Sequence, residues 1–395
     1  MQLSLIPLLL RLLLLVYAWF ISLTARKGKQ SYHFAANTVF LHSKEPLFMR
    51  RVCSLCLLSM FCSSLFSSCQ ENKSRQTATN RSQSAQKMQV TILNKILYQD
   101  IPSASGMELI ENNLYVIGDD SPFLYVLDAD SLKLTGKIEL FRTTDFRTGR
   151  IPKALKPDLE CLTTLTIAGE THLVAFGSGS ASNRAKCYTI KPSVMAEANA
   201  EVKEYSLEKL YTALQQDTAL LSGDLLNLEA AAVTPDNRLI LLQRSANIGP
   251  NALLQINSQE FIQHLTGNQT SLPSYTIFPF NLPELAGSKA RFSGAYIFDD
   301  KIFFTASVEN TTDAILDGEV MGSFIGWINI SEIKASTGSQ PLQTALITDQ
   351  SGQPYKGKVE SLVIQEKENQ HTYRGLAITD NDNGESELLQ FQISI

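Results

Sequence analysis

From Lys87 to the C-terminus the sequence repeats one pattern five times: an apolar run, a tight polar turn, and a second apolar run. Ser105-Gly106-Met107-Glu108-Leu109-Ile110 leads through Glu111-Asn112-Asn113 into Leu114–Gly118, followed by Asp119-Asp120. The same unit returns around Leu159-Glu160-Cys161-Leu162, Leu228-Glu229-Ala230-Ala231, Ser293-Gly294-Ala295-Tyr296 and Val359-Glu360-Ser361-Leu362. Short apolar runs flanking Asn, Asp and Gly turns are hairpin signals. Aligned on the glutamate, with Tyr296 replacing it in the fourth copy, the units lie 52, 69, 67 and 64 residues apart. A unit this size cannot bury its own apolar faces, so the copies must pack on one another.

Each spacing leaves room for two more strands, such as Phe123–Asp128 and Leu134–Leu140 in the first copy. Four antiparallel strands repeated about an axis make a propeller blade. The expected fold is therefore all-β, a β-propeller of five or six four-stranded blades spanning 87–395. Gln89–Tyr98 is expected beside Leu388–Ile395, closing the ring so that no sheet edge stays open. One short helical insert, Leu207–Gln216, has the spacing of a single apolar face.

In such a ring the start of each first strand and the end of each second strand reach the same rim. Glu108, Glu160, Glu229 and Glu360 are thus expected to converge on the channel mouth and to be the metal-ligand candidates. Asp119, Asp120, Asp158, Arg244, Lys358, Asp380 and Asp382 complete the candidate ligand-binding set. Carboxylates facing one axis stay ionised only when cations neutralise them; Lys156, Arg184, Arg244, Arg291 and Lys358 are at hand. Bound calcium would serve equally, since hard cations take clustered oxygens. The competing reading has each glutamate accept hydrogen bonds from backbone N–H groups of the neighbouring unit. Asp380-Asn381-Asp382-Asn383-Gly384 reads like the opening of a calcium loop, but Phe391 stands where an EF-hand needs its twelfth-position acid.

Charge and motif content exclude several classes. Only 2 of the 39 Asp and Glu residues, but 10 of the 34 Lys and Arg, precede Lys87, leaving about −13 on the repeat region and no footprint for nucleic acid. His172, His264 and His371 are scattered, and there is no HExxH, GxSxG or phosphate-cradling loop. Cys161 and Cys187 are the two cysteines of the repeat region; a core role and a mutual disulfide are both open to them.

The N-terminus reads as an address. Residues 1–48 hold a Leu-rich stretch, Leu3–Leu23, long enough to span a bilayer. In 49–69, Met49-Arg50-Arg51 precedes an apolar run and Leu65-Phe66-Ser67-Ser68-Cys69. That order resembles a bacterial lipoprotein signal, with Cys69 the lipidated residue. Met49 then serves as initiator and 1–48 as an over-extended start; an uncleaved Leu3–Leu23 anchor is the alternative. Residues 70–86, poor in apolar side chains, form a flexible tether. Either way the expectation is an exported, monomeric domain held to the membrane of the cell envelope.

The Pro157-Asp158-Leu159-Glu160 element and its degenerate copies resemble phytase-like and esterase-like propellers, and the region from Lys87 resembles uncharacterised Bacteroidetes propeller lipoproteins. The phytase-like resemblance implies carboxylates holding calcium that in turn binds phosphate. Cys161, Ala230 and Ser361 stand where that pattern has glycine, and Tyr296 where it has glutamate. The functional expectation is a small-molecule or cation ligand bound at an acidic channel mouth. A calcium-assisted phosphoester or ester hydrolase and a scaffold for a protein partner are the alternatives.

Overall fold

The computed structural model describes residues 87–192, 200–245, 247–310, 318–333, 340–381 and 383–395. The N-terminal extension, the signal with Cys69, the tether and Asp382 lie outside the described residues.

The chain is mostly β and is built from four-stranded antiparallel units. The first holds β2 (Ala104–Ile110), β3 (Asn113–Gly118), β4 (Phe123–Asp128) and β5 (Leu134–Glu139). The second holds β6 (Leu159–Ile167), β7 (Glu170–Gly177), β8 (Lys186–Ile190) and β9 (Val202–Ser206). The third is β10 (Leu228–Val233), β11 (Arg238–Gln243), β12 (Asn251–Asn257) and β13 (Tyr275–Asn281). A small hairpin, β14 (Glu284–Leu285) and β15 (Ser288–Lys289), precedes β16 (Arg291–Phe298), β17 (Lys301–Asn310) and β18 (Glu319–Asn329). The two-residue β19 (Gln340–Pro341) extends the third sheet, and β20 (Gln343–Thr348) completes the fourth unit. The last unit is β21 (Lys358–Asn369), β22 (Thr372–Asp380), β23 (Ser386–Ser394) and, at its outer edge, the N-terminal β1 (Gln89–Tyr98).

β1 runs antiparallel to β23 from Gln89↔Ser394 to Tyr98↔Ser386, the pairing expected from the sequence. It also meets β20 in parallel at Val90↔Ile347 and Thr91↔Thr348, which joins the last two units into one eight-stranded sheet.

The apolar side chains collect in five clusters, each in the gap between successive units. The fourth cluster puts Val363, Leu376 and Ile378 of the last unit against Met107, Leu114 and Val116 of the first, so the units close on themselves. Second strands such as β11, with Leu239, Ile240, Leu241 and Leu242 all buried, need apolar residues on both faces because a unit packs on either side. The outer β5 is largely exposed, with Ile138 half-buried against the cluster between the first two units.

The expected insert is helix α1 (Glu208–Gln216), which buries Leu210, Tyr211 and Leu214 between the second and third units. Two further helices follow. Asp217 caps α2 (Thr218–Leu221), and Asn257 caps α3 (Ser258–Leu265) by accepting from Glu260 N. Cys161 and Cys187 are free and buried. Both pair with Phe176 from opposite sides, two strand spacings or roughly 9–10 Å apart, too far for the disulfide.

Candidate functional site

Every first strand carries a β-bulge near its start, and the bulge decides what reaches the axis. The register slips between Leu159 and Cys161, between Leu228 and Ala230, and between Val359 and Ser361, making Glu160, Glu229 and Glu360 the extra residues. A bulge leaves one residue out of the ladder and re-aims its side chain. In the first and fourth units the slips fall between Ala104 and Gly106 and between Phe292 and Gly294, so Ser105 and Ser293 hold the equivalent place.

This corrects the alignment of the repeat. Glu108 and Tyr296 both lie three residues beyond the bulge, about 10 Å further along the strand. Glu108 therefore is not one of the ring. It sits buried with its carboxylate accepting from Leu109 N at 3.1 Å and from the Thr163 hydroxyl, with no cation acting on it. Burial pushes it up to about 8.

The serines perform the structural task that the glutamates do not. Ser293 Oγ donates to Val359 O at 2.7 Å and Ser105 Oγ to Leu159 O, each tying one unit to the backbone of another just before its bulge. None of the three bulge glutamates accepts from a backbone N–H among the described residues. Glu229 accepts from Asn227 Nδ2 at 2.5 Å, and Glu360 pairs with Lys358 at 2.8 Å. Among the described residues Glu160 makes neither a hydrogen bond nor an ion pair, and it feels Glu229, Asp158, Asp119 and Lys156 through space.

The rim around them is a mixed-charge network rather than an acidic ring. Lys156 donates to Asp119 and pairs with Asp158 at 2.9 Å, while Arg184 pairs with Asp158 at 2.7 Å. Arg244 binds Glu309 at 2.5 Å and stands 3.6 Å from Glu229. Arg150 pairs with Asp120 at 2.5 Å. Asp380 faces Lys358 across the ladder, and the two share a cavity wall with Asp119 and Asp120. The structure thus brings Glu160, Glu229, Glu360, Asp119, Asp120, Asp158, Arg244, Lys358 and Asp380 to one mouth and leaves out Glu108.

One corner is short of positive charge. Carboxylate oxygens of Asp119, Asp158 and Glu160 all lie within 4.8 Å of one another, a grouping able to hold a metal ion. Burial, and then Glu229, Asp158 and Asp119, raise Glu160 well above the usual carboxylate range. Burial pushes Asp119 up to about 8 against the pull of Lys156, with Asp380, Asp158 and Asp120 adding to the rise. Burial also works on Asp158, but Lys156 and Arg184 outweigh it and hold that carboxyl low. Glu229 is pushed up to about 7 by burial, against Arg244.

Residues 100–393 match the sequence model of a family of unknown function, DUF6929. The chain belongs to that family. No protein of curated function matches the DUF6929 chain. Among solved structures it is similar to the Myxococcus xanthus glutaminyl cyclase, at 8% identity and a TM-score of 0.42 over 78% of this chain and 97% of that one. It is also similar to the Cellvibrio cellulosa α-L-arabinanase complexed with arabinohexaose, at 12% identity and 0.41 over 76% and 91%. These neighbours are propeller-like enzymes. At such values the likeness reaches no site residue.

Sequence reasoning missed Arg150 as a rim residue. Arg150 lies in the connection Leu140–Asp158, whose length was the available signal, since long connections in compact domains are commonly functional. Glu309, one residue before the end of β17, reaches the rim from the end of a second strand, in the unit that has no glutamate at its bulge.

Proposed function

We propose that this DUF6929 chain is a five-bladed propeller that binds a divalent cation, calcium by the hardness of its ligands, at Asp119, Asp158 and Glu160, and through it a small ligand. The observation that carries this is Glu160, a half-buried carboxylate with no hydrogen bond or ion pair among the described residues, beside two others that share Lys156. An all-oxygen donor set suits calcium or magnesium. A bound dication would release the protons that burial and mutual repulsion hold on Glu160 and Asp119. A second reading is favoured by the cavity next to the triad: Arg150, Lys153, Lys156 and Lys358 line it, suiting a phosphoester anion and a calcium-assisted hydrolase.

One experiment separates these. The chain from Lys87 onward is melted in a calcium titration, with magnesium in parallel, and is assayed with p-nitrophenyl phosphate. Ligand at a hundred times its Kd stabilises by about 2.7 kcal/mol, so a shift of the order of 5 °C is expected for wild type and none for Glu160→Gln. Turnover that vanishes together with the calcium shift in Glu160→Gln establishes the hydrolase. No shift with either metal, and no metal in elemental analysis of the purified protein, sinks both readings.

We further propose that the domain is exported and tethered through a lipid on Cys69. Cells fed a radiolabelled fatty acid should label the wild-type chain but not Cys69→Ala; equal labelling of both would end this proposal.

A further inference from the structure

Alongside the carboxylate triad runs a cleft whose chemistry a metal ion does not use up. Its inner part is a cavity of about 290 Å³ lined by Asp119, Asp120, Arg150, Lys156, Lys358 and Asp380, among others. Asp120 is only 2% exposed, and its Oδ2 accepts from Ser103 Oγ at 3.1 Å and from Arg150 Nε. Its other oxygen, Oδ1, is buried with no hydrogen-bond partner among the described residues, and so is Oδ1 of Asp119. A buried acceptor without a donor costs about 1–3 kcal/mol, so these two oxygens call for donors from a ligand.

The donors they call for need not be charged. Arg150 already neutralises Asp120, and Lys156 is paired with Asp119. The same wall is lined by the donor side chains Arg150, Lys156 and Lys358, each already paired with a carboxylate. Acceptors interleaved with donors match the hydroxyl group, which gives one hydrogen bond and takes two. An ammonium ligand would meet three cations; a free carboxylate would meet the two unpartnered oxygens.

The outer part is a cavity of about 630 Å³ that shares Thr148 and Arg150 with the inner one. It is lined by Tyr125, Phe146 and Leu134, with Gln99, Thr135 and Asn383 among them. Phe146 is braced edge-on against Phe123, with ring centroids 5.6 Å apart. Gly384 lets the β22–β23 turn approach Arg150: a Cβ there would stand 3.2 Å from Arg150 Cδ. The half-buried Phe146 ring, flanked by the amides and hydroxyls of Gln99, Thr135, Thr148 and Asn383 and by charges of both signs on Asp100, Lys137 and Arg150, complements a sugar ring, which has a C–H face and a rim of hydroxyls. The inner volume is close to the roughly 300 Å³ at which small-ligand pockets begin, and the outer one lies within their range.

We infer that the two cavities form one cleft for a neutral oligosaccharide. One sugar places its hydroxyls on Asp119 and Asp120, the next lies against Phe146, and Arg150 stands between them. This requires the mouth to be a ligand site but does not require calcium. The test is calorimetric titration of the chain from Lys87 onward with cello-, xylo-, manno-, malto- and arabino-tetraose, with and without calcium chloride. Spermidine and galacturonate serve as charged comparisons. Saturable binding of a neutral tetraose, weakened roughly tenfold or more by Phe146→Ala with the melting temperature unchanged, is expected. Asp120→Asn should weaken it too. The inference is overturned if no neutral tetraose binds, if only the charged compounds bind, or if Phe146→Ala leaves binding intact. A calcium-dependent melting shift in the same samples reports on the cation site separately.

Discussion

Glu108 shows what a single carboxyl does when the fold gives it no partner of opposite charge. Burial keeps its proton on up to about pH 8, whereas the unfolded chain loses that proton near the ordinary value of 4.5. Between those two values the folded state binds more protons than the unfolded one, so stability falls as pH rises through the window and levels off above it. At 1.36 kcal/mol per pH unit the ceiling is near 5 kcal/mol, and relaxation around the site brings the expected effect to about 1–3 kcal/mol. Glu108→Gln keeps the shape and the hydrogen bond from Leu109 N while removing the ionisation. Urea unfolding should find the variant close to wild type at pH 5 and more stable by that amount at pH 9. An identical pH slope in the two proteins would show that Glu108 ionises freely. The residue was legible as buried and acidic from its place in an apolar run, but its neighbours, Thr163 and Tyr296, come from other units and leave no trace in the local sequence.

At the scale of the element, periodicity located strands well and registers poorly. The bounds of β1 and β4 follow from apolar alternation and from Asn, Asp and Gly turns, because those are backbone and solvation effects confined to a few residues. A bulge is different: it inserts one residue, so the two-residue period breaks where the functional side chains sit. Aligning the copies on glutamate therefore set Glu108 level with Glu160, three residues out of step. The Ser-Gly pairs at Ser105-Gly106 and Ser293-Gly294 carried the true register. Gly294 is required there, since a Cβ would lie 2.5 Å from Glu360 O and 2.7 Å from Ser361 Cα of the next unit. The helix Ser258–Leu265 was overlooked for a related reason. Its apolar face of Phe261, Ile262 and Leu265 spans barely two turns, too short to stand out from a buried strand.

At the scale of the molecule, what turns five hairpin units into a mouth is closure, and closure depends on the first ten residues of the described fold. β1 supplies the outer strand of the last unit, paired with β23 along its length and touching β20. Met107 N donates to Ser361 Oγ and Ala104 N to Ser386 Oγ, so the first unit is also stitched to the last near the rim. Asp380 and Lys358 belong to β22 and β21, whose positions are held through β23. A chain begun at Gln99 in place of Lys87 would leave β23 as an open edge, a template for pairing with other chains. It would also strip Val90 and Ile92 from the cluster that holds Phe303, Ile325 and Phe391. The chain from Lys87 should melt in one cooperative, concentration-independent transition. The chain from Gln99 should melt at least about 10 °C lower, given several lost core side chains at 1.5–3 kcal/mol each, and should aggregate as concentration rises in light scattering. It should lose any calcium shift as well, because the rim charges on β21 and β22 are no longer fixed relative to those on β3 and β6. Equal melting of the two chains would mean that the ring is held by the contacts between first strands alone, and that β1 is an edge covering rather than the closing element.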